Sequence, residues 1–289
     1  MILQGIFGMA IPRSTLFLKA LTVGILLLAS LLGWRQLAMA APVPVRFFEG
    51  TTRAFLILHT IEGVFLGRGD LIQVVRGGEV DSRMVFRFED GSVFDEMVVF
   101  TQQHFFTLEK YTLAQRGPAF KEDVEVSLER SGKYRVKTKT RGGGEEKALE
   151  GSLDLPPDVY NGLVLTVAKN LPKGAGETIH LVAFTPTPRL IQLELTPAGE
   201  QKVLVGGIAK TAVHYVLHPQ LGVWLELFAR LLGRLPPDYN AWIIPDEVPA
   251  FVRFEGQLSP TGPVWRVELT LPRWPDKPDG SGEKGSTAK

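Results

Sequence analysis

Two histidines are the residues in this chain that could most simply bind a metal ion. His214 and His218 are four residues apart in a stretch that alternates like a β-strand, so their side chains would lie on the same side of it. Imidazole is a common zinc ligand, but a zinc site needs at least one further protein ligand. No such ligand can be named from the sequence. The pattern favours structural or surface histidines, and we predict no metal site.

A second polar group is acidic and surrounds one predicted hairpin, with Asp90, Ser92, Asp95 and Glu96 close together in the stretch DGSVFDE. A calcium loop needs a ligand at every second residue and a sharp glycine turn, which this stretch does not supply, so a solvated turn is favoured. Together with Asp158, Asp95 and Glu96 are candidates for the carboxylates of a cell-envelope hydrolase. That alternative requires two acids in one pocket.

The sequence lacks the residues and motifs that several other kinds of chemistry require. The chain has no cysteine, which excludes disulfides, a thiol nucleophile and the acylated cysteine of a bacterial lipoprotein. It has no G-x-S-x-G, P-loop or G-x-G-x-x-G motif, and residues 67–70, GRGD, are predicted as a turn. Beyond residue 40 there are 29 basic and 31 acidic residues, a balance that argues against nucleic acid as a partner. We therefore expect a protein that is not an enzyme and has no cofactor.

One helix is predicted in the middle of the chain, at residues 155–172. Its apolar residues recur at helical spacing, which predicts one face packed on a sheet. Pro156, Pro157 and Asp158 suit a first helical turn. The apolar face comprises Tyr160, Leu163, Val164, Val167, Ala168 and Leu171.

On both sides of this helix, short stretches alternate in the two-residue period of strands and are separated by turn residues. They predict a mainly β fold with two helices: a large curved antiparallel sheet, or a half-open β-barrel, with a helix packed against it. Residues 41–273 would form this single domain. The predicted strands are 43–48, 54–62, 71–76, 80–88, 93–101, 105–113, 124–128, 134–140, 178–184, 190–196, 201–208, 210–217, 241–244, 250–258 and 264–271.

A second helix is predicted at residues 221–235. Trp224, Phe228 and Leu232 lie on one side of it, and Arg230 is among the charged residues on the other. Aromatic residues opposite basic ones are typical of helices at a membrane surface. Two interpretations remain open: a mobile cover that touches a membrane surface, or a helix buried on the sheet.

The two ends of the chain differ from the rest in composition. Residues 16–34 are apolar, follow a basic residue and precede Ala38-Met39-Ala40, so residues 1–40 are predicted to be a secretory signal peptide. The alternative is an uncleaved membrane anchor. In both cases the domain is exported, to the periplasm or the extracellular space. Residues 274–289 are rich in Pro, Gly, Ser and Lys and are predicted to be a disordered tail.

Four stretches carry a resemblance to a known family: FEDGSVFDEMVVFTQ at 88–102, QRGPAF at 115–120, DLPPDVYNGLVLTVAKN at 154–170 and GPVWRVEL at 262–269. Together they resemble an uncharacterised family of exported bacterial proteins, to which no activity is attached. More remotely, the layout resembles the curved sheet of periplasmic lipoprotein carriers of the LolA/LolB type. The chain lacks the lipid-attachment cysteine of the membrane-anchored carrier.

A curved sheet with apolar helices can hold an apolar ligand, so the leading functional prediction is an exported protein that binds a lipid or another apolar molecule. The residues predicted to contact this ligand are Trp224, Phe228, Leu232, Leu163 and Val167. Besides the hydrolase, an envelope protein-interaction module is the other alternative. An exposed apolar patch would mark such a module.

Overall fold

The computed structural model describes residues 42–184, 187–205, 207–220, 236–245, 249–259 and 262–270. The predicted signal peptide, the predicted helix at 221–235 and the predicted tail lie outside these residues and stay predictions.

The fold is mainly β, as predicted, and its fourteen strands form a single antiparallel sheet. Strands β1 to β8 run side by side in chain order, and so do β9 to β14, because each strand turns back beside the previous one. The two series join where β1 pairs with β14, so β8 and β9 lie at the two edges of an open sheet. The strands are β1 (Thr52–Thr60), β2 (Phe65–Arg76), β3 (Glu79–Phe88), β4 (Val93–Gln102), β5 (Phe106–Arg116), β6 (Glu122–Glu129), β7 (Lys133–Thr140), β8 (Glu146–Ser152), β9 (Glu177–Ala183), β10 (Arg189–Val205), β11 (Ile208–Gln220), β12 (Tyr239–Ile244), β13 (Ala250–Gln257) and β14 (Val264–Thr270).

One helix is present in the described part of the chain: α1 (Val164–Asn170), in the connection between β8 and β9. It is shorter than predicted because residues 156–161 are not helical. Val159 instead forms a bridge beside His180, so this stretch runs parallel to edge strand β9. The predicted apolar face is largely confirmed, since Tyr160, Leu163, Val167, Ala168 and Leu171 are all buried in the main core.

The two faces of the sheet differ in chemistry. The face that packs against α1, here called the inner face, supplies the main apolar core from nearly every strand. On the opposite, outer face, charged side chains pair across neighbouring strands, which favours the antiparallel register. These pairs are Arg53–Asp70, Arg83–Asp95, Arg116–Glu125, Arg135–Glu150, Arg253–Glu268 and Arg266–Glu255.

The sheet curves enough to bring its two series of strands into contact across the inner face. The ring of Tyr111 on β5 stacks on that of Phe184, which follows β9, with 6.1 Å between ring centroids. Gly162, just before α1, faces Val98 on β4 and Tyr111 on β5. The segment leading into α1 therefore packs against the first series of strands and pairs with the edge of the second.

The predicted turn at residues 67–70 is wrong, because these residues lie inside β2. Gly67 and Gly69 allow close packing of β2 on β3: a Cβ added at Gly67 would clash with the carbonyl oxygen of Arg87, and one added at Gly69 would lie 2.5 Å from the ring of Phe86. Asp70 faces outward and pairs with Arg53 at 2.7 Å.

Three other boundaries differ from prediction. The predicted strand at 43–48 forms only an isolated bridge, between Pro44 and Phe105. The predicted strands at 190–196 and 201–208 are one strand, β10, interrupted by a bulge between Pro197 and Glu200. Strand β8 was missed, because it has no alternating apolar residues and every one of its residues is exposed.

Within the described residues, no helix is both long and apolar enough to cross a bilayer.

Candidate functional site

A row of side chains on the inner face is less buried than the rows beside it. Leu71, Met84, Glu96 and Leu113 are directly opposite one another on β2, β3, β4 and β5, and each is only partly buried. We call these four residues the inner row.

Both neighbouring rows on the inner face are buried. One consists of Gly69, Phe86, Phe94 and Gln115, and the other of Gln73, Ser82, Val98 and Tyr111. The inner row is therefore a narrow, partly exposed strip between two buried rows. Three of its four side chains are apolar.

The fourth side chain, Glu96, is a carboxyl group in apolar surroundings. Phe94 and Val98, on the same face of β4, are almost completely buried on either side of it. Burial raises the pKa of Glu96, while the hydrogen bond from Tyr111 acts in the opposite direction and only partly offsets it. The neutral form of Glu96 is thus favoured relative to an ordinary glutamate.

Tyr111 holds one side of this carboxyl group. Its hydroxyl donates a hydrogen bond to Oε1 of Glu96 at 2.9 Å. The pKa of Tyr111 is raised well above its usual value by burial and by the nearby Glu96, so the hydroxyl keeps its proton and remains a donor. The stack on Phe184, with ring planes 5° apart, fixes the orientation of the tyrosine ring.

A second buried polar pair lies at the edge of the sheet. Asp158 is completely buried, and its Oδ2 is 2.6 Å from Nδ1 of His180 on β9. Backbone hydrogen bonds tie the same segments together, from the His180 N–H to the Asp158 carbonyl and from the Tyr160 N–H to the His180 carbonyl. The pair fastens the stretch before α1 to the edge of the sheet, which is a structural role.

The acids named for a hydrolase do not converge. Asp95 is on the outer face and binds Arg83, with 2.8 Å between Oδ1 and Nε. Glu96, the next residue, points to the inner face, and Asp158 lies beside β9. Among the described residues, none of the three acids is hydrogen-bonded to another. The structure therefore does not bring together the pair of carboxylates that this chemistry requires.

The two histidines first considered as ligands have other partners. The ring of His214 stacks on Trp242 at 4.6 Å between centroids, and its Nε2 is 2.8 Å from Oδ1 of Asn240. Nδ1 of His218 is 2.6 Å from Oδ1 of Asp238. Across the described ranges, no group of three or more His, Cys, Asp or Glu side chains could hold a metal ion.

The residues predicted to contact an apolar ligand are placed as follows. Leu163, at the start of α1, and Val167, within it, are buried in the main core, at 1% and 0% exposure. Trp224, Phe228 and Leu232 lie outside the described residues. Two depressions of about 270 and 160 Å³ lie away from the inner row, beside Lys173 and Glu200 and beside the β4–β5 turn.

Sequence reasoning considered Glu96 as one of several acids near a turn and as a candidate carboxylate of a hydrolase, but did not place it on the inner face. A signal for its position was present, because Phe94, Glu96, Val98 and Phe100 alternate with outward residues on one strand. A carboxyl group at every-second-residue spacing among large apolar residues indicates an inward-facing acid.

No family model, no curated protein and no solved structure matches this chain.

Proposed function

We propose that this protein is an exported, non-enzymatic β-protein that binds a lipid or another apolar molecule along the inner row. The observation that supports this most directly is the accessibility of Leu71, Met84 and Leu113 between two buried rows. Apolar side chains on a concave face gain free energy when a ligand covers them, by about 25 cal/mol for each Å² of apolar surface removed from water.

The dimensions of the row suit an extended chain. Neighbouring strands are about 4.8 Å apart, so four side chains on four adjacent strands form a strip roughly 14 Å long. An acyl chain lying across the strands would contact all four side chains of the inner row. The methionine adds a side chain that adapts its shape to different ligands.

Export is part of the same proposal. It rests on the apolar segment at 16–34 and the small residues Ala38 and Ala40 after it. A periplasmic or extracellular location follows from a cleaved signal peptide, and an uncleaved segment would anchor the domain to a membrane. The resemblance to lipoprotein carriers stays a prediction, as does contact of residues 221–235 with a membrane surface.

The first experiment asks whether a ligand is present. The protein is purified without detergent and extracted with organic solvent, and the extract is examined by lipid mass spectrometry. Binding of a fluorescent fatty-alcohol probe is measured in parallel. Lipid in the extract, or saturable probe binding, is the expected result. An empty extract together with no probe binding would overturn the proposal.

The second experiment locates the ligand. Leu113→Trp fills the inner row, whereas Met97→Trp adds the same bulk on the outer face of β4, opposite Thr112. Probe affinity is expected to fall at least about tenfold, or about 1.4 kcal/mol, for Leu113→Trp and to stay within about twofold for Met97→Trp. Met84→Phe is a milder second variant should Leu113→Trp fail to fold. Equal affinities in folded inner-row and outer-face variants would show that the ligand binds elsewhere.

A further inference from the structure

We infer that the ligand of the inner row has an uncharged polar end, such as a hydroxyl or an ester, which hydrogen-bonds to the free carboxyl oxygen of Glu96. This inference rests on the proposed function and adds the chemical class of the ligand.

The carboxyl group of Glu96 has one oxygen engaged and one available. Oε1 accepts the hydrogen bond from Tyr111. No other described residue hydrogen-bonds to Glu96, and its Oε2 is not among the buried atoms that lack a partner. Oε2 therefore has no hydrogen-bond partner among the described residues and is not completely buried, and it lies in the strip that an acyl chain would follow, between Met84 and Leu113.

The orientation of this group is fixed before a ligand binds. Tyr111 is buried, stacked on Phe184 and covered by Gly162, whose positive φ of 73° suits glycine and where an added Cβ would lie 3.3 Å from the tyrosine ring. A preorganised hydrogen-bonding group costs little conformational entropy when it meets its ligand, so one well-placed contact can determine selectivity.

The charges around Glu96 determine which polar end of a ligand can bind beside it. The nearest side chains along β4 and across from Glu96 are apolar: Phe94, Val98, Met84 and Leu113. In the two flanking rows, the polar side chains of Ser82, Gln115 and Tyr111 carry no charge. The only titratable partner that acts on Glu96 among the described residues is Tyr111, and no basic side chain does so. A carboxylate on the ligand would therefore meet a carboxyl group with no cation nearby to offset the repulsion.

A positively charged ligand is also disfavoured. An ammonium group would have to leave water and ionise Glu96 in a site that favours its neutral form, and buried ion pairs of this kind commonly give little net gain. A hydroxyl or ester group avoids both costs. Protonated Glu96 can donate to an ester carbonyl or a hydroxyl oxygen, and the same carboxyl can accept from a hydroxyl.

The test compares probes of equal chain length that differ only at one end: an alcohol, a methyl ester, a carboxylate, an ammonium and a plain hydrocarbon. Each probe competes with a fluorescent fatty alcohol, which is uncharged, for the full-length protein at neutral pH. The alcohol and the ester are expected to bind most tightly. Tightest binding by the carboxylate or the ammonium would overturn the inference while leaving the proposed function intact.

Variants of Glu96 link this selectivity to the residue. Glu96→Leu should weaken binding of the alcohol roughly tenfold, since its hydroxyl would be left unpaired, and should not weaken binding of the hydrocarbon. Glu96→Gln keeps a neutral hydrogen-bonding group and should bind the alcohol within about threefold of the wild type. Asp95→Asn, the neighbouring change on the outer face, is the matched control and should have no effect on any probe.

Failure of the two proposals gives different results. If no probe binds, the proposed function fails and this inference with it. If probes bind but Glu96→Leu binds the alcohol as tightly as the wild type does, only the polar contact is refuted, and the inner row binds apolar chains without selecting their ends.

Discussion

At the scale of single residues, Glu96 is the position where fold stability and proposed function meet. A largely desolvated carboxyl group on the inner face destabilises the fold whenever it is ionised, because burial disfavours the charged form. A hydrophobic residue of similar size would pack there without this cost. The carboxyl group is consistent with a role in recognising a ligand.

This cost has a defined pH dependence. The pKa of Glu96 in the folded state is raised above its ordinary value of 4.5, so below about that pH the carboxyl is protonated in both the folded and the unfolded chain. As the pH rises through the raised pKa, the folded protein loses stability, because the unfolded chain releases the proton more readily.

We therefore predict that Glu96→Gln gains stability over the wild type as the pH rises above about 4.5. The difference in free energy of unfolding, measured by urea denaturation from about pH 4 to about pH 8, should increase with pH in favour of the variant. Asp95→Asn controls for the loss of one carboxyl group and should show no such increase. A difference that is constant with pH, or that falls, would contradict the raised pKa of Glu96 in the folded protein.

Much of the inner face could be predicted from the sequence, and the position of Glu96 could have been. The alternation of Met84, Phe86 and Phe88 correctly placed these residues on one face of β3. The pairing of Glu96 with Tyr111 could not be predicted, because a bulge near Val99 shifts the register between β4 and β5. The stack on Phe184 joins residues that are far apart in the sequence, and period-two patterns do not contain such contacts.

At the scale of single elements, β2 shows why turn signals mislead. Glycine has two uses in a sheet: it permits positive φ in turns, and it lets a neighbouring chain approach closely. Sequence alone favoured the first use for Gly67 and Gly69. The structure shows the second use, since the ring of Phe86 on β3 occupies the space where a side chain on Gly69 would be.

Replacement of these glycines gives a prediction for the element. Gly67→Ala would place a methyl group in a clash with the carbonyl oxygen of Arg87, so β2 and β3 would have to separate. We expect a loss of about 1–3 kcal/mol in the free energy of unfolding, the usual range for overpacking. Gly78→Ala, in the β2–β3 turn, has nothing within 4 Å of the new atom and should change stability by less than about 0.5 kcal/mol. Equal losses in the two variants would show that close packing is not the reason for Gly67.

The helix α1 illustrates the same limit on sequence reasoning. Its apolar face was identified correctly, but its beginning was placed too early, at Pro156 and Pro157. Asp158 was assigned to a first helical turn, whereas it binds His180 on a strand that follows later in the chain. A partner at this separation cannot be inferred from local propensity, and the tertiary contact determines where the helix begins.

At the scale of the whole molecule, two series of strands share one core. Among the described strands they are hydrogen-bonded to each other only where β1 meets β14, and the segment that leads into α1 contacts both. The chain before β1 is fastened to the same segment: the Val43 N–H donates to the hydroxyl of Tyr160, and Lys169 pairs with Glu49 at 2.5 Å. Loss of packing at α1 should therefore destabilise both series of strands, β1 to β8 and β9 to β14.

The last prediction tests this shared core. Leu163 is 1% exposed at the start of α1, so Leu163→Ala should cost about 2–5 kcal/mol, the usual range for a buried leucine. Because both series of strands pack against the core that contains this residue, amide hydrogen exchange should accelerate in β4 and β5 and also in β10 and β11. Leu149→Ala is the matched control: Leu149 is 37% exposed on edge strand β8, and the change should cost less than about 1 kcal/mol. Acceleration confined to one series of strands would mean that the two series unfold independently and that α1 stabilises only one of them.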